Sequence, residues 1–208
     1  MMAATNRPSS LSDLCEETGL PRATAHRLAT ALEAHRILTR TADGHWTAGP
    51  ALPGNRDHLI EAATPIMEQL LETTGESIQL YQHTGDTRTC IASKEPSHGL
   101  HNVVPVGRQL PLNSGSAARI IAAFEDIEIP DALYSQADVD KARELGYSES
   151  IEEREAGLAS ISAPVLNAAG TLMAVLSISG SAERFRPSPA DKYATLLSDA
   201  AQRLGALL

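Results

Sequence analysis

The sequence predicts an α+β protein of two modules, a small helix-turn-helix unit with a β-hairpin and a larger α/β sensor unit. Three observations support this prediction. The chain has 208 residues, 42% of them apolar, which suits one large and one small domain with true cores. Residues 1–56 carry six arginines against five acidic residues, whereas the remainder carries eleven basic and twenty-one acidic residues. Apolar residues recur at helical spacing in some segments and alternate as in strands in others.

The composition also argues against several classes of protein. No segment is long and apolar enough to span a bilayer, and the N-terminus lacks the apolar region of a secretion signal. Cys15 and Cys90 stand far apart in no metal-binding or redox spacing, which is typical of a reducing cytoplasm. The seven histidines are scattered. We therefore expect a cytoplasmic protein with no membrane contact, no metal site and no cofactor.

The first predicted elements are two helices joined by a tight turn. Ser10 is a good N-cap, and Gly19 ends the first helix because glycine tolerates the left-handed backbone of a helix exit. Pro21 lies in the first turn of the second helix, where its missing N–H does no harm. The predicted buried stripe of the second helix consists of Ala25, Leu28, Ala29 and Leu32.

A predicted β-hairpin follows, with extended runs at 37–41 and 45–48 around the turn signal Asp43-Gly44. Helix, turn, helix and hairpin is the order of a winged helix-turn-helix, in which the second helix enters the major groove of DNA. Arginine can pair with guanine, and hydroxyl and imidazole groups can bind base edges or phosphates. The alternative is an ordinary solvated polar face. The candidate DNA-binding residues are Ser10, Ser12, Arg22, Ala23, Thr24, His26, Arg27, Arg40 and His45.

The larger module begins after a linker helix in which Pro65 is expected to kink the helix or to reset its start. The segment 149–158 is predicted to be an exposed polar connection. Predicted strands cover 77–84, 87–93, 100–106, 158–166 and 171–179, and predicted helices begin near 114, 138 and 189. The predicted boundaries are 1–55 for the DNA-binding domain, 56–74 for the linker helix and 75–208 for the effector-binding domain.

Three segments resemble the IclR family of transcriptional regulators, and the resemblance covers essentially the whole chain. They read LSDLCEETGLPRATAHRLATALEAHRIL with a glycine-bearing wing and GPAL, VPVGRQLPLNSGSAARIIAAF, and GLASISAPVLNAAGTLMAVLSISG. Within the family, GLPRATAHRLATALE and TGESIQLYQHTGDTRTCIA look most like actinobacterial regulators of leucine and tryptophan biosynthesis. The resemblance implies a GAF-like effector domain, a homodimer or homotetramer, and a palindromic operator in double-stranded DNA.

One departure from the family concerns the N-terminus. Relatives carry a full helix before the one that begins near Ser10, whereas only nine residues stand there in this chain. The initial Met-Met pair hints at a truncated or misassigned start. We therefore expect the first helix of the winged domain to be missing or truncated, leaving that domain less stable or completed by a partner chain.

The resemblance also implies an effector pocket where the segment after LPL meets the last two strands. The implied effector-binding residues are Gly115, Ser116, Ala117, Ser150, Glu152, Ser160, Ser177 and Ser179. A helix N-terminus and several hydroxyls suit the carboxylate of an amino acid or organic acid, and they are the only local donors that the sequence identifies. The alternative is that Ser177 and Ser179 are ordinary residues on one face of a strand. Asn113 and Ser150 depart from the family pattern, so the ligand is expected to differ from small keto acids.

The resulting functional prediction is a repressor of amino-acid biosynthesis genes, such as those for leucine or tryptophan, that responds to a small carboxylate metabolite. One alternative is a small-molecule sensor that has lost DNA binding and acts through a protein partner. A hydrolase is the other alternative, since NSGSA offers serines, but no histidine follows it and no nucleophile elbow or phosphate-binding loop occurs. We therefore do not expect an enzyme.

Overall fold

The structure is a computed structural model of the chain, and it describes residues 8–41, 43–97 and 101–208. The predicted missing helix concerns residues before Ser10, of which 1–7 lie outside the described ranges. Residues 1–61 with 168–171 form one compact unit, and residues 62–167 with 172–208 form the other. Among the described residues, no helix combines the length and the apolar character needed to cross a membrane.

In the small unit, the first helix, α1, covers Leu11–Thr18. The Oγ of Ser10 accepts a hydrogen bond from the Asp13 N–H at 3.2 Å, and the Asp13 carboxylate accepts one from the Ser10 N–H at 2.7 Å. This reciprocal cap satisfies two amide groups that the helix cannot satisfy internally. Gly19 ends the helix with φ of 69°, as the sequence predicted.

The second helix, α2, covers Arg22–Ala34, with Pro21 directly before it. Ala25 and Ala29 are buried, but Leu28 and Leu32 are 45% and 38% exposed, so their predicted burial is wrong. The core of this unit explains the difference. It consists of Leu14, Ala29, Leu38 and Trp46. The large Trp46 side chain fills the space, and α2 therefore turns its small residues rather than its leucines inward.

The predicted hairpin is confirmed by strands β1 at Leu38–Arg40 and β2 at Trp46–Ala48, which pair antiparallel. The backbone of Ser9 adds a bridge to β2, with N···O distances of 2.7 and 2.8 Å to Trp46. A long helix, α3, follows at Pro53–Thr74 and continues through Pro65, so the proline does not reset the helix. This is possible because one proline removes only one backbone donor from the helical ladder.

The larger unit is built on one antiparallel sheet of six strands in the order β5-β4-β3-β8-β7-β6. The strand bounds are Ser77–Thr84 for β3, Thr87–Lys94 for β4, Gln109–Pro111 for β5, Ser148–Ile151 for β6, Leu158–Leu166 for β7 and Leu172–Ser181 for β8. The helix bounds are Ser116–Glu125 for α4, Gln136–Leu145 for α5 and Pro189–Gly205 for α6. Helices α4 and α6 both contact the central strands β7 and β8.

Two predictions about this sheet are wrong. Residues 101–106, from the segment predicted as a strand, form none, and β5 begins only at Gln109, after a turn in which Gly107 has φ of 89°. The prediction of an exposed connection at 149–158 is wrong at its start, where residues 149–151 belong to β6 and Ser150 is buried, whereas residues 152–157 do connect two strands. A short polar strand at a sheet edge carries no apolar alternation, which is why the sequence pattern missed it.

The two faces of the central strands differ in chemistry because successive side chains of a strand point to opposite faces. Ile78, Ile161 and Ile178 alternate with polar residues, and all three are fully buried. The polar residues lie on the side of α4, where the hydroxyl of Ser116 reaches them. Further along α4, the same side of the sheet becomes apolar, with Tyr81 and Val175 in the core cluster.

Candidate functional site

The first candidate site is the surface of α2 in the small unit. The side chains of Arg22, Ala23, His26 and Arg27 are exposed, and Thr24 is half-buried. The spacing places them along the first two turns of the helix. In the part of the chain that the structure describes, His26 and Arg27 make no side-chain hydrogen bond or ion pair, so both are available to a ligand.

The other predicted DNA-binding residues have structural contacts of their own. Ser10 caps α1, and the Ser12 hydroxyl accepts a long hydrogen bond of 3.5 Å from Arg22. The Arg40 guanidinium stacks 4.2 Å above the ring of Trp46, and His45 is half-buried beside the hairpin turn. The winged unit thus presents α2 as its cationic surface, with one further arginine held on the hairpin.

The second candidate site is a cavity of about 440 Å³, counted with its mouth, between α4 and the polar part of the sheet. The space that a water-sized group can occupy is only about 40 Å³, because the larger figure includes open solvent, so the cavity as it stands accommodates a small polar group. Seven predicted effector residues line it: Gly115, Ser116, Ala117, Ser150, Ser160, Ser177 and Ser179. Glu152 does not. It is exposed with φ of 54°, and its carboxylate accepts the Gly157 N–H at 2.8 Å, so it shapes the turn after β6.

The floor of the cavity is a polar lattice that spans four strands. The strand registers align Gln79, Ser177, Ser162 and Ser148 in one row, and Ser77, Ser179, Ser160 and Ser150 in the next. The hydroxyl of Ser116 lies 2.7 Å from those of Ser160 and Ser162, and Ser162 lies 2.7 Å from Ser177. Ser177 is therefore one end of a string of four hydroxyls that ties α4 to the sheet.

A second string of hydrogen bonds crosses the neighbouring row. The Asn102 side chain donates to the Ser179 hydroxyl at 2.9 Å, and that hydroxyl donates to Gln79 Oε1 at 2.8 Å. Gln79 is fully buried, and its Nε2 has no hydrogen-bond partner among the described residues. An amide N–H that is buried without an acceptor is costly, so this end of the cavity favours an acceptor oxygen.

The N-terminus of α4 already contacts a carboxylate of the protein. Gly115, with φ of 91°, donates its N–H to the Glu153 carboxylate, which also forms an ion pair with Arg119. The amides of Ser116 and Ala117 follow, and helix geometry leaves them without an acceptor inside the helix. An anionic ligand therefore finds two donors here rather than the whole helix N-terminus.

Sequence reasoning missed the charged groups of the cavity. Arg88 and Arg154 line it together with Glu155, so helix amides and hydroxyls are not the only donors. Arg88 is 3% exposed, and burial lowers its pKa to about 10. Its guanidinium lies 5.8 Å from the ring centre of Tyr81, whose pKa burial raises to about 12. The available signal was spacing, since Arg88 precedes the buried Cys90 by two residues on the same strand.

Comparison with protein families gives matches across most of the chain. Residues 1–42 match the IclR helix-turn-helix domain. Residues 55–141 and 130–206 match the C-terminal domain of bacterial IclR transcriptional regulators. The two matched domains occur in the order in which the small unit and the cavity-bearing unit follow each other.

Individual relatives agree with these matches. The chain is 28% identical to the HTH-type transcriptional regulator KipR of Bacillus subtilis, covering 96% of this chain and 90% of that protein. It is 26% identical to the HTH-type transcriptional repressor AllR of Klebsiella pneumoniae, covering 96% and 83%. A crystal structure of an IclR-family regulator from Rhodococcus sp. is 29% identical with a TM-score of 0.65, covering 96% and 85%. The IclR structure of Thermotoga maritima, at 21% identity and a TM-score of 0.63 over 98% and 92%, shares the fold.

Proposed function

The chain belongs to the IclR family of bacterial transcriptional regulators, and on that premise we propose that it is a repressor whose affinity for its operator is controlled by a small carboxylate. The observation that carries the proposal is the pairing of a winged helix-turn-helix with a polar cavity in the second unit. A repressor is proposed because AllR, which aligns with 96% of this chain, is named a repressor.

DNA binding is supported by α2. Arginine side chains at a recognition-helix N-terminus can pair with guanine or with phosphates. Arg22, His26 and Arg27 are exposed there. We propose that these residues contact the operator, with Ala23 and Thr24 beside them and with Arg40 and His45 of the hairpin near the DNA backbone.

Effector binding is supported by the cavity in the larger unit. We propose that the ligand carboxylate is bound by the amides of Ser116 and Ala117, with Ser160, Ser177 and Ser179 completing the polar floor. Such a ligand changes operator affinity only by as much as its own affinity differs between the DNA-bound and free conformations. Control through a palindromic operator also requires a homodimer or homotetramer, which we include in the proposal.

We propose that the regulated genes are those of amino-acid biosynthesis, such as leucine or tryptophan biosynthesis. The relatives named above are KipR and AllR, and neither name refers to leucine or tryptophan biosynthesis. Control of amino-acid biosynthesis genes therefore rests on the sequence resemblance of two segments. The genes that adjoin this one test it, because biosynthetic genes are expected there if the assignment is correct.

Fluorescence anisotropy with labelled DNA from directly upstream of the gene tests operator binding. Arg22→Ala or Arg27→Ala is expected to weaken binding by about 1–3 kcal/mol if the arginine contacts a base. Arg108→Ala is the matched control, because Arg108 is an exposed arginine of the other unit. If both α2 variants bind as tightly as the parent, the assignment of α2 to the groove is wrong. If the parent binds no upstream DNA better than unrelated DNA, the sensor that has lost DNA binding becomes the better interpretation.

A further inference from the structure

We propose that Arg88 is the specificity-determining residue of the effector cavity, binding a ligand carboxylate side-on through Nε and Nη2. The inference rests on the proposed function in that it concerns the same cavity. It adds the residue that selects the ligand, and it defines the ligand as a small carboxylate with at least one further acceptor oxygen.

The first observation is the hydrogen bonding of Arg88. Its Nη1 donates to the carbonyl of Pro111, which fixes the plane of the guanidinium. Its Nε is buried and has no partner among the described residues, and its Nη2 donates no hydrogen bond to any of them either. Nε and Nη2 lie on one edge of the group, and together they form the fork that matches a carboxylate.

The same chain shows what that edge binds when a carboxylate is nearby. Arg184 donates from Nε and from Nη2 to the two oxygens of Glu76, both at 2.7 Å. Arg88 lines the cavity without forming an ion pair among the described residues, and its Nε is covered by neighbouring protein atoms, so a ligand reaches Nε only if those atoms shift. A ligand carboxylate at Arg88 would accept hydrogen bonds from Nε and Nη2, as the Glu76 carboxylate does at Arg184.

The second observation is the position of Arg88 relative to α4. A Cβ atom placed on Gly115 would lie only 3.2 Å from Arg88 Nη2. The guanidinium is therefore adjacent to the start of the helix, beside the amides of Ser116 and Ala117. One carboxylate can contact both, and the charge of Arg88 adds to the partial positive charge of the helix N-terminus.

The third observation is the charge of the lining. Arg88 and Arg154 outnumber Glu155 there, whereas the whole chain has a net charge of −9. Glu153 is close by, but its carboxylate is already bound to Gly115 and Arg119. The cavity therefore concentrates positive charge in an acidic protein, which selects an anion over a neutral amide or alcohol.

Gln79 provides a further polar group at the lining of the cavity. Its buried Nε2 is a donor without an acceptor, and it lies in the row next to Ser179. A second oxygen on the ligand, from a carbonyl, a hydroxyl or another carboxylate, would satisfy it. A ligand that lacks this oxygen would leave the amide buried and unpaired, which lowers affinity.

Isothermal titration calorimetry on the full chain tests the proposal with pyruvate, succinate and glutarate. Each acid is compared with the amide in which every carboxylate is replaced by a carboxamide. We expect at least one carboxylate to bind, with an affinity at least tenfold higher than that of its carboxamide. Arg88→Lys keeps the charge but loses the fork, and we expect it to weaken that binding at least tenfold. Arg108→Lys, the matched control at an exposed arginine, is expected to bind like the parent.

Three results would overturn the proposal: no carboxylate of the series binds the parent, the carboxamides bind as well as the acids, or Arg88→Lys binds unchanged. Circular dichroism and the Tm of the variant show whether it is folded. The calorimetry contains no DNA, so operator binding is measured separately. Loss of operator binding with Arg88-dependent carboxylate binding intact would contradict the proposed function alone.

Discussion

Two arginines of the larger unit use the same edge of the guanidinium in opposite circumstances. Arg184 is 42% exposed, and its Nε and Nη2 bind Glu76, a carboxylate that is only 3% exposed. Arg88 is itself 3% exposed, and its Nε has no partner among the described residues. The first pair is a finished structural contact. The second arginine donates to the Pro111 carbonyl and lies over the Tyr81 ring, but among the described residues it forms no ion pair with a carboxylate, and this is typical of a binding site.

Structural and binding charges in this domain differ in what surrounds them. The carboxylate of Glu76 fills a space that exists only because residue 180 is glycine, since a Cβ there would lie 2.1 Å from Glu76 Oε2. Around Arg88, by contrast, a cavity adjoins the guanidinium. A buried charge without an oppositely charged partner is costly for stability, so we interpret its presence as a requirement of ligand binding.

The largest expected effect on the free energy of unfolding comes from removing Arg184 from its pair with Glu76. Arg184→Met leaves the buried carboxylate of Glu76 without its partner, and we expect the free energy of unfolding to fall by about 3 kcal/mol. Urea denaturation followed by circular dichroism measures it. Arg108→Met is the control for loss of a surface charge. A loss no larger than that of the control would mean that water replaces Arg184, and the comparison would fail.

The next effect has the opposite sign. Arg88→Met removes a buried charge and puts an apolar side chain of similar length in its place, and we expect unfolding free energy to stay unchanged or to rise by up to about 2 kcal/mol. The same denaturation series, run without any carboxylate, measures it. A loss of stability as large as that of Arg184→Met would show that Arg88 is also structural.

Residues of the cavity that belong to a recognisable sequence segment were predicted from the sequence. Residues of the cavity outside such a segment were missed. Ser177 and Ser179 were predicted from the resemblance alone, since the strand period suggested ordinary residues on one face, and the structure places both at the lining of the cavity. Arg88 was missed because an arginine in a strand is usually solvated, although its spacing of two residues from Cys90 places both side chains on the same face of the strand. Glu152 was misplaced because a left-handed turn redirects its side chain, which sequence spacing does not reveal.

The elements of the fold likewise divide into those that local sequence patterns predict and those that depend on contacts between different segments. Capped helices, the hairpin and the long strands have local signals, and they were predicted well. The exposure of Leu28 and Leu32 depends on Trp46, which is far away in the sequence and fills the core of the small unit. Strand β6 depends on pairing with β7, a contact between Ser150 and Ser160 that no local pattern records.

A smaller effect is expected from the hydroxyl string. Ser162 is fully buried and lies between Ser116 and Ser177, so Ser162→Ala leaves two hydroxyls with one fewer partner. We expect a loss of about 1 kcal/mol in unfolding free energy. Ser160→Ala, at the half-buried end of the string, is the matched control and should cost less. Equal losses would mean that the string acts as separate hydroxyls.

The smallest expected effect is the pH dependence of carboxylate binding. Burial lowers the pKa of Arg88 to about 10, with Arg154 lowering it further while Tyr81, Tyr134 and Glu153 oppose the shift. Binding needs the protonated guanidinium, so affinity is highest below that pKa and is lost as the pH rises through it. Between pH 7 and 9.5 the protonated fraction falls only slightly, and we expect a change of less than about twofold in affinity for a carboxylate of the calorimetric series.

The Glu76–Arg184 pair supplies the contrast for this measurement. The hydrogen bonds that Arg184 donates to Glu76 raise the pKa of Arg184, so this arginine keeps its charge across the same pH range. Extending the titration to about pH 10.5 should therefore weaken carboxylate binding several-fold in the parent, provided the Tm shows that the chain is still folded. Affinity that stays constant to that pH in a folded chain would mean that Arg88 keeps its proton or that its charge does not contribute to binding, and the affinity of Arg88→Met distinguishes the two.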